Sequence, residues 1–265
     1  MIIWYNNSVK YSRIRKMKVL FITLAIGDKY LQSYNLLFRK SQEEYARKHG
    51  YDFMVISNFI SSNTEFPIPH PHLISFQKIL VCSQPFSSQY DYIIFVDADI
   101  LINVAKTPAL HNILQWGDNI GIVDEYSQPT PELRIQVQRN NKWEESATDY
   151  YKLAGLSINT EKVLNTGVLI MQPKKHSQFL LNIYNKYAKQ AINHPRGFGY
   201  EQSCIGYELQ INHNYILLDN KWNALWLIYK GIGGKYKIFQ EMYNDNYFIH
   251  LAGKCDFHLV PQIKY

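Results

Sequence analysis

Cysteine is scarce in this chain: Cys82, Cys204 and Cys255 are the only three in 265 residues, and they are widely spaced. An odd number with no Cys-x-x-Cys pair excludes a disulfide framework and a paired-cysteine metal or redox site, and reads as reduced thiols in a cytosol-type compartment. Long hydrophobic runs are missing too. No stretch approaches the roughly 18 apolar residues of a membrane span, and the N-terminus lacks the order of a signal peptide. A soluble protein, cytoplasmic or facing the cytosol, is therefore expected. Internal repeats and low-complexity tracts are absent, which excludes solenoids and disordered arrays. Acidic residues are absent from the first eighteen positions, which carry Lys10, Arg13, Arg15, Lys16 and Lys18. Residues 1–17 read as a basic N-terminal extension that would touch an anionic membrane surface at most peripherally. A frayed leader, or an upstream start codon with Met17 as the functional start, is the alternative. The net charge of +6 comes from scattered bases. It lacks the basic stripe with interleaved aromatics that nucleic acid requires, so nucleic acid is not expected as a partner.

What the chain has is apolar substance, with 46% hydrophobic residues, 21 tyrosines and five tryptophans. That is enough to bury a sizeable core in one domain, 18–265. Strand and helix patterns alternate as in an α/β fold. Lys18–Ala25 is a first buried strand. Tyr30–His49 is a helix stopped by Gly50, and Tyr51–Ile56 is a second strand. Phe66–His72 is an extended loop, because three prolines at alternate positions forbid helix. Its His70 and His72 read as solvent-exposed rather than as ligands. Phe76–Phe86 is a short helix, Asn119–Asp124 a strand, Val163–Met171 another, His176–Ile192 and Glu201–Leu209 helices, and Tyr247–Leu251 a last strand. The segment 125–160 shows few periodicities and reads as a long acceptor-side loop region.

The sharpest feature is Tyr92-Ile93-Ile94-Phe95-Val96-Asp97-Ala98-Asp99-Ile100-Leu101-Ile102. Such an apolar run reads as a strand buried on both faces, where isolated charges are costly. Positions two apart in a strand point the same way, so Asp97 and Asp99 can present two carboxylates to one site. Like charges so close call for a cation, and the simplest is Mg²⁺ or Mn²⁺ shared with a phosphate-bearing substrate.

Six pieces in order resemble a GT-A fold glycosyltransferase. The nearest likeness is to the retaining galactosyl-, xylosyl- and mannosyltransferase family that includes plant xyloglucan xylosyltransferases and fungal Golgi galactosyltransferases, with the glycogenin-like group as a relative. Tyr45-Ala46-Arg47-Lys48-His49-Gly50-Tyr51 resembles its helix-to-strand junction, and Phe76-Gln77-Lys78 its aromatic-x-Lys helix start. Asp97-Ala98-Asp99 resembles its Asp-x-Asp and Asn165-Thr166-Gly167 its Asn-Ala/Thr-Gly turn. Glu201-Gln202-Ser203 resembles its Asp-Gln-Ser, with Glu in place of Asp, and His250-Leu251-Ala252-Gly253 its C-terminal His-x-x-Gly. The resemblance implies a single GT-A, Rossmann-like α/β domain with a central, mostly parallel sheet flanked by helices. It implies a metal held by Asp97, Asp99 and His250, and a nucleotide-sugar donor, UDP-sugar favoured over GDP-sugar. The donor would lie along Thr23, Ala25, Tyr30, Lys78, Asp97, Asn165, Gly167, Gly253 and Lys254. Glu201 would bind the donor sugar's hydroxyls, with Gln202 beneath the anomeric carbon after a flexible approach, Arg196–Tyr200. The acceptor would be a glycan or glycoconjugate. A nucleotidyltransferase of related fold would want a Gly-rich, Arg-containing loop after the first strand, which Leu24–Asp28 does not supply. A silent glycan-binding module would have lost the carboxylates, and both are present.

Overall fold

A computed structural model describes residues 17–60, 73–110, 118–144, 146–193, 201–231, 238–254 and 256–264, except the side chains of 231 and 254. The basic residues before Met17, the histidines at 70 and 72, the approach 196–200 and Cys255 lie outside the described residues.

The first half of the chain runs through β1 (Val19–Leu24), α1 (Asp28–Leu37), α2 (Arg39–His49), β2 (Asp52–Ile56), a 3-10 stretch (Ser75–Ser83), β3 (Tyr92–Val96), β4 (Ile100–Ile102) and β5 (Ile120–Asp124). The second half runs through α3 (Pro131–Asn141), α4 (Ala147–Leu153), β6 (Leu164–Met171), α5 (Pro173–Asn193), α6 (Gln202–Ile211), β7 (Tyr215–Leu217), β8 (Ala224–Leu225), α7 (Trp226–Gly231), α8 (Phe239–Asp245) and β9 (Phe248–His250). A six-stranded sheet of order β2-β1-β3-β6-β5-β7 forms the centre. β6 is antiparallel to both neighbours, while the other pairs are parallel. β1 and β6 are buried along their whole length, as strands covered on both sheet faces are, and β6 carries the polar pair Asn165-Thr166 within that cover.

On one face Phe76, Ile79 and Leu80 of the 3-10 stretch join Leu180, Ile183 and Tyr184 of α5 in a single core. On the other, Phe21, Ile94 and Val96 meet Tyr45 of α2, Trp222 and Phe248. The expected α/β architecture is thus present. Cys82 and Cys204 are free thiols within the core, and burial pushes both above their ordinary pKa.

Four sequence expectations are corrected. The segment 30–49 is two helices that break at Phe38, whose ring is buried 5.0 Å from that of Phe257; Gly50 ends α2 at φ 68°, as expected of a left-handed stop. The stretch 76–86 is 3-10 rather than α-helical. The segment 125–160 is no irregular loop. It carries α3 and α4, started by the side chains of Thr130 and Ser146, and the buried residues of α3 are Arg134, Val137 and Gln138. Its helical repeat is filled by polar residues, so it left no apolar period to read. Finally, the run 92–102 is two strands. β3 belongs to the six-stranded sheet and β4 to a second, three-stranded sheet of order β4-β9-β8. The carboxylates occupy the turn between them.

The Tyr45–Tyr51 junction is structural. The rings of Tyr45 and His49 meet edge-on at 4.7 Å, and the Tyr45 hydroxyl donates to the Pro108 carbonyl at 2.9 Å.

Candidate active site

The Asp97–Asp99 turn is held by its backbone. Asp97 N donates to Gly167 O at 2.8 Å, Leu251 N donates to Asp99 O at 3.0 Å, and the Gln42 amide donates to Asp97 O at 3.2 Å and Ile100 O at 3.0 Å. So fixed, both side chains converge on His250 at the end of β9. His250 Nε2 lies 3.3 Å from Asp99 Oδ1 and 3.9 Å from Asp97 Oδ2. One ligating atom from each of the three lies within 4.8 Å of the others, a spacing that one cation can bridge. Two carboxylates and an imidazole form a hard-to-borderline donor set, suited to Mn²⁺ and less to Mg²⁺, which prefers oxygen alone.

Lys78 sits behind the triad, almost wholly buried. Its ammonium lies 2.8 Å from Asp97 Oδ1 and 2.6 Å from Glu201 Oε1, and donates to Thr166 O at 3.3 Å. Burial alone would lower its pKa, but the two carboxylates outweigh burial and hold it charged. In turn Lys78 holds Glu201 below the usual carboxylate range against the pull of burial, helped by the Thr166 hydroxyl at 2.6 Å. For Asp97 burial is the largest influence and raises its pKa, with Lys78 and His250 opposing. His250 is lowered by burial but raised overall by Asp99. Tyr30 is pushed up by burial, then by Asp99 and Asp97, so α1 brings its ring within electrostatic reach of the triad.

A chain of side-chain amides runs away from the triad. Glu125 can only accept, so Asn165 turns its amide nitrogen to Glu125 Oε2, at 2.8 Å. Asn165 Oδ1 then accepts from Gly167 N at 2.9 Å and from the Asn223 amide at 2.6 Å. This leaves Asn223 Oδ1 facing His250 Nδ1 at 2.9 Å, so Nδ1 carries the proton and Nε2 is the nitrogen left to ligate. The Gln202 amide donates to Glu125 Oε2 at 3.2 Å and to the Tyr150 hydroxyl at 3.3 Å. Arg134 closes the chain, with one guanidinium nitrogen 3.0 Å from Glu125 Oε1.

The structure therefore gathers Tyr30, Lys78, Asp97, Asp99, Asn165, Gly167, Glu201, Gln202 and His250 into one connected region. Thr23 is wholly buried and its hydroxyl has no hydrogen-bond partner among the described residues, and Ala25 N donates to Ile56 O. Both lie by the end of β1, the strand beside β3. Gly253 is exposed, with φ 71°, and the Lys254 side chain lies outside the described positions. Sequence reasoning missed Glu125, Asn223, Thr166 and Arg134. Glu125 carried a signal: like Asp97, it is an acidic residue directly after an apolar strand. Asn223 carried none.

No protein-family model and no curated protein matches the sequence. Solved structures do match by shape. One is a glycosyltransferase involved in the glycosylation of the major capsid of PBCV-1: 16% identity, 93% of this chain and 100% of that one, TM-score 0.58. A second is the galactosyltransferase LgtC in complex with donor and acceptor sugar analogs: 15% identity, 93% and 96% covered, TM-score 0.55. A third is the bifunctional glycosyltransferase WbbM: 13% identity, 91% of this chain but 46% of that one, TM-score 0.56. At such identities the likeness shows architecture, and with the sheet order above it gives this chain the GT-A fold.

Proposed function

We propose that the chain is a metal-dependent glycosyltransferase that moves a sugar from a nucleotide-sugar donor, UDP-sugar favoured over GDP-sugar, to a glycan hydroxyl with retention of anomeric configuration. The observation that carries this reading is the meeting of Asp97, Asp99 and His250 at the seam of two sheets, with a buried lysine behind them. A divalent ion held by these three would supply positive charge against the departing nucleoside diphosphate. The chain's own residues supply the rest. Lys78 holds Glu201 ionised, opposes the effect of burial on Asp97, and fixes both in place. Asn223 holds the His250 ring so that Nε2 faces the carboxylates. Gln202, its amide nitrogen committed to Glu125 and Tyr150, offers a neutral carbonyl oxygen that can steady a cationic sugar carbon. An amide is too weak a nucleophile for an easy covalent intermediate, so departure and attack on one face of the sugar is the expected route. Glu201 is held by Lys78, Thr166 and Ser75, which fixes its carboxylate for a sugar hydroxyl to approach.

The test is a melting-temperature screen against UDP, GDP, CMP and dTDP, each with Mn²⁺, Mg²⁺ or EDTA. The reading expects a metal-dependent rise for UDP that Asp99→Ala abolishes. A UDP effect unchanged by EDTA or by Asp99→Ala would refute the metal site, and no rise with any nucleotide would refute the reading.

A further inference from the structure

Past Gln202 and Asn165 opens a cavity of about 260 Å³ lined by Glu125, Tyr126, Arg134, Gln138, Trp143 and Tyr150 among others. None of Asp97, Asp99, His250, Lys78 and Glu201 lines it. Two of its side chains are buried with polar atoms left over. Arg134 is 4% exposed; one terminal nitrogen pairs with Glu125, while Nε and Nη1 have no hydrogen-bond partner among the described residues. Gln138 is 2% exposed, and its Oε1 is likewise unpartnered. Its orientation is dictated, because its amide nitrogen donates to the Glu144 carbonyl at 2.6 Å and the Tyr126 hydroxyl at 2.9 Å, and a carbonyl cannot donate in return. Unpaired buried donors and acceptors are costly, and a native chain that keeps them needs a reason.

We infer that this cavity is a subsite for an uncharged, hydroxyl-bearing ring of the acceptor saccharide, with Arg134 and Gln138 as its specificity-determining residues. The inference rests on the transferase reading above. Arg134 and Gln138 stand four residues apart on α3 and so share one helix face. Together they hold spare N–H groups and a spare carbonyl oxygen, each covered from solvent in this structure and so reached only when the surrounding side chains shift. A hydroxyl donates once and accepts, so neighbouring ring hydroxyls answer both kinds of vacancy at once, after a small rotation of the guanidinium. An anion answers only the arginine. Arg134 is already matched to Glu125 and lies 4.7 Å over the Tyr126 ring, and Glu144 lines the same cavity, so a carboxylate or phosphate there would meet two like charges. Half-buried Trp143 and Tyr150 supply aromatic surface of the kind on which a sugar's C–H face packs. Gln202 and Asn165, assigned to the donor sugar, line the cavity too, so the ring lies beside that sugar; the residues assigned to the metal and diphosphate lie outside it, which puts the ring on the acceptor side.

The experiment is saturation-transfer NMR with methyl glycosides of glucose, galactose, mannose and N-acetylglucosamine, and with methyl glucuronide, each with and without UDP and Mn²⁺. The wild type, Gln138→Leu and Arg134→Lys are compared. Arg134→Lys keeps a cation for Glu125 while removing the planar fork, and the melting temperature checks that each variant is folded. At least one uncharged glycoside should bind, with affinity reduced about fivefold or more in each folded variant, as for one lost hydrogen bond. Binding of the glucuronide alone would overturn the uncharged ring. Uncharged binding unaffected by both variants would overturn the site. Absence of glycoside binding while UDP and Mn²⁺ still raise the melting temperature would overturn the subsite and leave the transferase reading standing. Absence of both would overturn the two together.

Discussion

Gly167→Ala is the most direct test of how the site is built. Gly167 lies within β6, buried, and a Cβ there would stand 2.6 Å from His250 Cε1, 2.7 Å from its Nδ1 and 3.0 Å from Asn165 Oδ1. Carbon atoms in contact sit at about 3.5 Å or more, so the imidazole would have to retreat by roughly 1 Å. It is rigid and 5% exposed, with no open side to move to. Overpacking of this kind costs about 1–3 kcal/mol, and losing the bond to Asn223 adds about 1 kcal/mol. A melting temperature lower by at least about 4 °C should follow. The chemical effect should be larger. Metal–ligand distances tolerate about 0.2 Å, so a ring displaced by roughly 1 Å leaves the ligand set, and Mn²⁺ affinity should fall about 10- to 100-fold. Differential scanning fluorimetry reads the first effect, and titration of free Mn²⁺ by electron paramagnetic resonance reads the second. Wild-type stability with wild-type Mn²⁺ affinity would refute the packing of β6 against β9 on which the site depends.

Three further outcomes are expected. Asp124 accepts from Tyr126 N and Val163 N through the same oxygen, yet burial raises its pKa from 3.8 to about 6. A raised acid stabilises the fold fully below its unfolded pKa and loses that stability as pH rises through about 6. Asp124→Asn, which keeps the accepting oxygen, should therefore be more stable than wild type at pH 7 by up to about 3 kcal/mol, with the gap closing by about pH 4. Equal urea midpoints at pH 7 would contradict this. Lys78→Met strands two buried carboxylates and should cost about 3–5 kcal/mol near neutral pH. Because Lys78 depresses Glu201, and stability from a depressed acid is present above its unfolded pKa and lost as pH falls, the penalty should shrink toward pH 4; a pH-independent penalty would contradict the assignment. Gln202→Ala should lower turnover far more than donor affinity, and a loss confined to affinity would make Gln202 a binding residue only.

The strands were legible because their apolar residues run together and are nearly all buried: Val19–Leu24 and Tyr92–Val96 need no context to be read, and Leu164–Met171 shows itself through its apolar end, Val168–Met171. The Asp97–Asp99 pair was legible for the opposite reason, as charge where charge is costly. That the pair lies between two sheets was hidden, because Ile100–Ile102 is as apolar as the strand before it and nothing local marks a change of partner. Arg134 and Gln138 were hidden because polar residues on the buried face of α3 erase the helical period by which a buried face is recognised. Asn223 was invisible for another reason: its importance lies in what it connects, and connection across 27 residues to His250 and 58 to Asn165 leaves no trace in local sequence.

Asp97 directly follows β3 of the larger sheet, whereas Asp99 directly precedes β4 and His250 closes β9 in the smaller one. An ion gripped by all three would therefore be a clasp between two separately hydrogen-bonded sheets, fastened where the chain itself crosses from one to the other. Its arrival and departure would change how freely those sheets slide, and the amides of β4 and β9 should exchange their hydrogens more slowly whenever the clasp is shut. If the proposed ion binds there, loading at a three-residue turn would bear on the stiffness of the smaller sheet.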